Sequence, residues 1–395
     1  MTKTDNYRHG LPYKKRKPIQ QRKAVMRRKF IALMTVTLLL GGCTHEETTE
    51  QDAAEYTDKP VIFMAAANDL TRGTAIQEGA LSTSATFRVY ATKQLKDGGS
   101  GSPGPELPFI NTGESPGNVV SYQQIDGRWV WKTGTDYYWP QDNYFVNFYA
   151  IHPASAPVIS DIMTSRSFTY DADTPIDGNH DLMFAQATTS LGSSEFKDIN
   201  DQGTVALKFH HAFAQMAFYG KLSEQFSNFG WTLTVEDIVI YNVNAAGTFS
   251  FDTEEVTPNT TSPILSDYRL ALHTGHLTIT STTATELLTS PNDVTMLMPQ
   301  TLTAWDRDTE SYLDMNGLPE TTNSFLAIKF SVKDSNNQDP YGGSTTVYIP
   351  FAAEWEASNV YKYTVEFGGS YSVTAAIEPW ATTNIEPTDP LYPDE

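Results

Sequence analysis

The chain has 395 residues, of which 39% are hydrophobic and 12% aromatic, a composition that can build packed cores and excludes wholesale disorder. A single cysteine excludes internal disulfides and zinc sites built from several cysteines. The formal charge is −20, but eleven of the 27 basic residues lie within residues 1–30, so residues 43–395 carry 16 basic against 46 acidic side chains. This excess of negative charge opposes binding to nucleic acids.

The N-terminal segment has the pattern of an export signal. Three basic residues at 27–29 precede an uncharged apolar run over 30–40, which is too short to cross a bilayer as a helix. The run ends at Leu-Gly-Gly-Cys, which is similar to the lipobox of bacterial lipoproteins, and this resemblance implies acylation of Cys43. We therefore predict a signal peptide over 1–42. Its first 25 residues are either a long basic leader or an over-extended start, since Met26 would begin an ordinary signal.

Residues 43–60 are polar and acidic without periodicity, and they are predicted to form a tether behind the acylated cysteine. The pair Glu46-Glu47 resembles the export signal that Gram-negative bacteria use to send lipoproteins to the outer face of the outer membrane. The alternative is an ordinary acidic tether. The pattern favours a lipid-anchored protein displayed at the cell surface.

From residue 61 onward, apolar residues alternate with polar ones, which predicts β-strands. The predicted strands lie around residues 61–65, 87–91, 205–209, 235–240, 277–279, 294–298, 326–330, 347–351 and 361–367. Short strands separated by Gly, Pro, Asn and Asp at irregular spacing predict antiparallel β-sandwiches. We predict an all-β chain with one sandwich over 61–203, a second over 204–383, and a proline-rich tail over 384–395.

The order of several segments resembles the fimbrillin family, which comprises type V pilins and related surface lipoproteins of Gram-negative bacteria. The segments are 70–74 (LTRGT), 137–140 (YYWP), 145–153 (FVNFYAIHP), 181–185 (DLMFA), 205–218 (VALKFHHAFAQMAF), 355–357 (WEA), 361–363 (YKY) and 379–380 (PW). The resemblance implies two tandem transthyretin-like β-sandwich domains and a structural or adhesive role without catalysis. It also implies other fimbrillin subunits as partners.

The resemblance further implies maturation by loss of the first strand. That strand would place Val61, Phe63 and Ala65 on one face, and a trypsin-like protease would cut between Arg72 and Gly73. Release of the strand would leave an open edge that a strand from another subunit could fill. In the alternative reading, Arg72 is an ordinary loop residue and the first strand stays in place.

The C-terminal tail bears on the position of the subunit in a polymer. Residues 381–395 contain Pro387, Pro390 and Pro393, and proline cannot donate to a strand ladder. The tail is therefore a poor donor strand, which favours a tip or accessory subunit over a stalk subunit. The alternative donor lies further back, over residues 371–377.

The densest aromatic stretch carries Trp129, Trp131 and Trp139. If exposed, these rings could stack on sugars, and the chain would be a monomeric surface protein that binds a host or bacterial glycan. If buried, they are cross-strand pairs in a sandwich core, which is the commoner arrangement.

The polar patterns of the chain do not predict an enzyme, a metal site or a cofactor. His210 and His211 are adjacent on a strand, so their rings should face opposite sides. The segment 171–178 resembles a calcium loop but carries Pro175 at a ligand position, so an acidic turn is favoured. Nucleophile elbows, phosphate loops and dinucleotide fingerprints do not occur in the sequence.

Overall fold

A computed structural model of the chain describes residues 56–67, 79–99, 101–110, 117–125, 128–190, 197–199, 202–273, 276–288, 295–310, 312–315, 317–368 and 372–379. The predicted signal peptide, the predicted acylation site Cys43 and the predicted proline-rich tail over 384–395 lie outside these residues. In the described part of the chain, no helix is both long enough and apolar enough to cross a membrane.

The first half of the described chain is built from thirteen strands. In chain order they are β1 Tyr56–Pro60, β2 Ile62–Ala67, β3 Gly79–Ala80, β4 Thr86–Leu95, β5 Glu106–Ile110, β6 Asn118–Ile125, β7 Arg128–Thr133, β8 Tyr138–Pro140, β9 Tyr144–His152, β10 Ser167–Tyr170, β11 Met183–Thr189, β12 Lys197–Ile199 and β13 Gln202–His211.

The second half contains fourteen strands and one short helix. They are β14 Ala214–Leu222, α1 Glu224–Asn228, β15 Thr232–Asn244, β16 Gly247–Ser250, β17 Glu255–Pro258, β18 Leu265–Arg269, β19 Thr278–Ile279, β20 Thr285–Glu286, β21 Thr295–Leu297, β22 Thr301–Leu302, β23 Phe325–Lys333, β24 Thr345–Pro350, β25 Ala353–Glu354, β26 Asn359–Phe367 and β27 Ser372–Pro379. The helix starts at Ser223, whose hydroxyl accepts a hydrogen bond from the Phe226 amide.

The main sheet of the first half closes on itself. Strand β13 pairs with β11, and the pairing continues through β9, β4, β6, β7 and β2, which returns to β13. The inward faces of these strands bury one cluster of side chains, which we call the first core. Its largest members are Phe63, Phe87, Trp131, Trp139, Phe148 and Phe209.

The second half is a sandwich of two five-stranded sheets. One sheet has the order β20-β14-β26-β27 with β21 beside β14, and the other has the order β18-β15-β23-β24 with β19 beside β15. Apolar side chains alternate along the facing strands and bury the second core between the sheets. Phe218 and Tyr363 come from the first sheet, and Leu233, Ile328 and Phe330 come from the second.

A third core joins the two halves. Strand β10 of the first half pairs with β16 of the second, and β17 completes a three-stranded sheet. Phe168, Phe184, Phe249 and Phe251 pack in the cluster beneath it. The described residues accordingly belong to one compact unit, 52–395. The all-β prediction is confirmed, whereas separate domains over 61–203 and 204–383 and a transthyretin-like topology stay predictions.

Two strand pairings differ from the predicted antiparallel arrangement. Strand β2 runs parallel to β13, and β14 runs parallel to β26. In each half, the first strand of the core thus lies alongside the last strand that contributes fully buried side chains to that core. Alternation along a strand determines which face each side chain occupies but carries no information about the direction of the neighbouring strand.

The changeover between the first and second cores falls after β13. Val205, Leu207 and Phe209 on this strand belong to the first core, and Ala214 at the start of β14 belongs to the second. Ala212 and Phe213 between them belong to the third core. The chain therefore passes from one core to the other between residues 209 and 214, whereas the boundary predicted between 203 and 204 falls inside β13, a strand of the first core.

Candidate functional site: the first-strand groove

Strand β2, the predicted exchangeable strand, lies inside the main sheet of the first half. Its backbone pairs in parallel with β13, from Ile62 opposite Thr204 to Ala67 opposite Phe209. On its other side it pairs with β7 at Phe63 and Trp131 only, and with β3 at its C-terminal end. We call the slot between β13 and β7 that this strand fills the first-strand groove.

The side chains of β2 fill the groove with apolar surface. Val61, Phe63 and Ala65 point into the first core and are at most 5% exposed. The Phe63 ring makes edge-to-face contacts with Phe87 and Phe148, at centroid separations of 6.1 and 5.8 Å. Such aromatic pairs stabilise the packing by about 0.5–1.5 kcal/mol beyond the area that they bury.

The opposite face of β2 is buried as well, which the sequence analysis missed. Ile62 and Met64 are 4% and 6% exposed, although the alternation assigned only Val61, Phe63 and Ala65 to the interior. The available signal was the unbroken apolar run over 61–67, which is typical of a strand covered on both faces.

A second short strand precedes β2 and corrects the predicted tether. Residues 56–60, assigned above to the tether, form β1, which pairs with β8 from Tyr56 opposite Pro140 to Pro60 opposite Tyr138. The Tyr56 hydroxyl accepts a hydrogen bond of 2.7 Å from the Lys93 ammonium, which also lies 4.5 Å from the centre of the Tyr56 ring. These partners are distant in sequence, so a local reading of residues 43–60 could not find them.

Several predicted site residues lie outside the described residues. Cys43, the predicted acylation site, and the pair Arg72-Gly73, the predicted protease site, fall there. Strand β7 includes the backbone of Trp129, but its side chain is not described. Lipidation, cleavage and the exposure of Trp129 therefore stay predictions.

Two of the candidate glycan-facing tryptophans are core residues. Trp131 is 3% exposed and packs against Phe87 and Tyr122, with ring centroids 5.6 and 5.3 Å away. Trp139 has no exposed surface and packs against Phe148. Their faces are covered by other rings, so neither Trp131 nor Trp139 is available to stack on a sugar.

The C-terminal strand β27 has little side-chain burial. It pairs with β26 from Asn359 opposite Pro379 to Glu366 opposite Ser372, and it ends the strand order of its sheet. Ala375 and Ala376 are exposed and Ile377 is 60% exposed, while Val373 alone packs partly on the second core. Release of this strand would cost far less apolar burial than release of β2.

A polar cluster lies where strands β9 and β13 end and strand β11 begins. His211 is buried, and its Nδ1 lies 2.8 Å from a carboxylate oxygen of Asp181, whereas His210 is exposed, as the strand alternation predicts. His152 lies 3.0 Å from the Thr86 carbonyl through its own Nδ1. Burial lowers the pKa of His152, and the nearby Asp181 carboxylate partly opposes that shift.

Comparison with known proteins identifies the family. A profile of fimbrillin-like proteins matches residues 71–380. The chain belongs to the fimbrillin-like family. Its similarity to fimbrillins had been predicted from the order of the sequence segments, and that prediction is confirmed. The matched family is described as fimbrillin-like, so the chain is related to fimbrial proteins.

A solved fimbrial protein has a similar fold. A fimbrial protein from Bacteroides vulgatus superposes with a TM-score of 0.54 at 12% identity, over 82% of this chain and 100% of that chain. A protein from Bacteroides ovatus that is proposed to act in cell adhesion gives a TM-score of 0.45 at 15% identity, over 83% and 99% of the two chains. No curated protein matches the sequence.

Proposed function

We propose that this fimbrillin-like protein is a surface subunit of a fimbrium, or an adhesin, that assembles by donor-strand exchange at the first-strand groove. The observation that carries the proposal is the placement of β2. It is the strand nearest the N-terminus in the main sheet, it is buried on both faces, and it pairs along its whole length with β13.

A first-strand groove filled by a strand from another subunit would be more stable than an empty one. Removal of β2 would expose the core face that Val61, Phe63 and Ala65 cover, together with the ladder groups of β13. Each large apolar side chain contributes roughly 1.5–3 kcal/mol when buried, so an empty groove is unstable and favours a strand of similar pattern from another subunit. Main-chain hydrogen bonds would fix the register of the incoming strand.

Release of β2 requires a cut between this strand and the rest of the chain. Arg72 lies five residues after β2 in a segment with Gly73 and Thr74, so cleavage after Arg72 would free β1 and β2 with the lipid anchor on Cys43. In this proposal the uncut protein is held at the outer membrane by its acyl chains, and the cut protein joins a polymer.

The identity of the donor strand separates a stalk subunit from a tip subunit. Residues 381–395 carry three prolines and make a poor donor. Strand β27 is the alternative donor because it is exposed and carries Val373, Ala375 and Ile377 at alternate positions. We favour a tip or accessory subunit, which accepts a strand from a neighbour without donating its own.

The experiment uses the full-length acylated protein and an Arg-specific protease. We expect the new N-terminus to be Gly73 and expect the cut protein to form oligomers that survive on unheated denaturing gels. An Arg72→Gln variant should stay intact and monomeric. Oligomers that form only after addition of another fimbrillin would support the tip position. An uncut monomer under conditions that cleave a flexible control substrate would overturn the proposal.

A monomeric carbohydrate-binding lipoprotein is the alternative function. Burial of Trp131 and Trp139 removes the surface on which that alternative was first based. Glycan binding by this chain would therefore need a different site.

A further inference from the structure

A cavity of about 280 Å³ lies beside the third core, away from the first-strand groove. Its interior is formed by apolar side chains, including buried Phe213, Leu182 and Ile176. Pro153, Pro157 and Tyr170 form its walls. Pockets for drug-sized ligands usually measure about 300–1,000 Å³, so this cavity fits a group of about one ring.

The segments that enclose the cavity are fixed by hydrogen bonds to distant parts of the chain. The Ile176 amide donates to the Ala245 carbonyl, and the Tyr268 hydroxyl donates to the Ile176 carbonyl at 2.6 Å. The Met296 amide donates to the Gly178 carbonyl at 2.8 Å. In the lining segment 153–157, the Arg88 guanidinium donates to the Ala154 carbonyl. The cavity is therefore formed before any ligand arrives, which lowers the entropic cost of binding.

Gly178 is adapted to this packing. Its backbone has a φ of +76°, and a Cβ atom there would come within 2.9 Å of the Tyr268 ring. Any other residue would move the segment 176–178 away from its partners in the second half. The chain thus holds the neighbouring Asp177 at a fixed place beside the cavity.

The cavity has a small set of polar groups at its edge. The Asp177 carboxylate and the His180 imidazole both line it, and His180 Nδ1 lies 2.8 Å from an Asp177 oxygen. Burial raises the pKa of Tyr170 well above its usual range, and the nearby Asp177 carboxylate raises it further. The phenol is therefore protonated at neutral pH. A carboxylate accepts several hydrogen bonds, and a phenol and an imidazole can both donate and accept.

We propose that this cavity is a saccharide site that takes one neutral sugar ring. The apolar face of a pyranose would pack on the partly exposed ring of Tyr170, whose centroid lies 6.0 Å from that of the buried Phe213 ring. Neighbouring hydroxyl groups would donate to the Asp177 carboxylate and exchange hydrogen bonds with His180.

The charge of the site restricts the class of sugar. Asp177 places a carboxylate at the cavity and the chain has a net charge of −20, so sialic acids, uronic acids and sulfated sugars are disfavoured. Neutral hexoses and N-acetylated amino sugars keep the hydroxyl groups that the site needs without adding a negative charge.

This inference adds a ligand class to the adhesive part of the proposed function but does not rest on strand exchange. The cavity residues lie in segments 153–182 and at Phe213, none of which belongs to β2 or to its pairing partners β3, β7 and β13. Loss of sugar binding and loss of assembly can therefore be told apart in one set of variants.

The test measures binding of simple probes to the full-length protein by saturation-transfer NMR and titration calorimetry. The probes are methyl glycosides of galactose, glucose, mannose, fucose and N-acetylglucosamine, with N-acetylneuraminic acid as the acidic comparison. N-acetyl-proline amide and N-acetyl-tyrosine amide test whether the cavity takes a peptide side chain instead.

We expect at least one neutral glycoside to bind, with N-acetylneuraminic acid much weaker. Asp177→Asn should weaken that binding about tenfold or more, since hydrogen bonds to a charged group are the strong ones. His180→Ala, an exposed position that should fold normally, should weaken it several-fold. Asp142→Asn, an exposed carboxylate on a different loop, should change nothing.

Three results would overturn the proposal. One is an absence of binding by every neutral glycoside to folded protein. Another is equal binding by the Asp177→Asn and His180→Ala variants, which would place the sugar elsewhere. The third is preferential binding of the proline or tyrosine amide, which would make the cavity a peptide pocket.

Discussion

The first strands of the two halves occupy equivalent places but are held very differently. Strand β2 lies parallel to β13, the last strand of the first core, and β14 lies parallel to β26, the last strand with fully buried side chains in the second core. On its other side, β2 pairs with β7 at one position and with β3 at two, whereas β14 pairs with β20 at two positions and with β21 at three. Strand β14 is also longer, with parallel pairing from Gln215 to Leu222.

Chain continuity adds a second difference. Strand β14 follows β13 after only Ala212 and Phe213, both of which are buried in the third core. It therefore cannot leave its sheet without disturbing the last strand of the first half. Strand β2 is preceded only by β1 among the described strands, so a single cut behind it would free it from the rest of the chain. Similar pairing in the two halves thus leaves one strand that a single cut could separate from the chain and one that it could not.

A charged side chain placed at a core position of β2, and at a core position of β14, tests this difference. Phe63 in β2 and Phe218 in β14 are both fully buried core residues. Phe63→Asp should expel β2 and leave the second core folded, because local release costs less than burial of an unpaired carboxylate, which is several kcal/mol. Phe218→Asp has no such escape and should unfold the second core.

Hydrogen exchange on the two variants measures this difference. In Phe63→Asp, protection should disappear from residues 62–67 and fall along β13 while residues 214–222 stay protected. In Phe218→Asp, protection should disappear from β14, β15 and β26 together. Equal loss of protection across both halves in the two variants would mean that β2 is as deeply integrated as β14.

A smaller perturbation tests how tightly β14 is packed on its core face. At Gly220 an added methyl group would collide with the end of the Ile279 side chain and lie 3.1 Å from Leu287. Gly220→Ala should therefore lower the free energy of unfolding by roughly 1–3 kcal/mol, as overpacked cores do. The control is Gly134→Ala, because nothing lies within 4 Å of a methyl group placed there.

Thermal unfolding of the two glycine variants provides the measurement. We expect a lower melting temperature for Gly220→Ala and an unchanged one for Gly134→Ala. An unchanged melting temperature for Gly220→Ala would show that the Ile279 side chain moves aside without cost and that β14 is loosely packed at this position.

The features of the fold that depend on local sequence pattern could be predicted from the sequence. Alternating residues located β4, β13, β23 and β26 and assigned their buried faces, since period-two burial follows from strand geometry alone. The order of the motifs was enough to identify the family before any fold was known. Burial of Trp131 and Trp139 was the commoner of the two arrangements considered.

What the sequence could not predict depends on pairing between distant segments. The joining sheet brings Phe168 next to Phe249, and neither residue is marked by its neighbours in the chain. Strand β1 was not predicted, because it lies in an acidic segment and its partners, Pro140 and Lys93, are distant in the sequence. The cavity required Pro153, Asp177 and Phe213 to meet, and no local spacing encodes that meeting.

The smallest expected effect is a loss of folding stability at acidic pH that comes from His152. His152 ends β9 near the Asp181–His211 pair, close to where the first core gives way to the second. Because burial lowers the pKa of His152 in the fold, the unfolded chain binds this proton more readily than the folded one. Stability should therefore be full above about pH 6.5 and fall as the pH drops below it, by at most about 1.4 kcal/mol per pH unit for one group.

Urea unfolding of the protein and of a His152→Gln variant, at pH 8 and at pH 5.5, isolates this contribution. The variant removes the titration of this imidazole, so the loss of stability between the two pH values should be smaller in the variant. Hydrogen exchange at pH 5.5 should show the earliest opening at residues 150–152, before β2 or β14 opens. An identical pH dependence in the two proteins would assign the acid sensitivity to other groups.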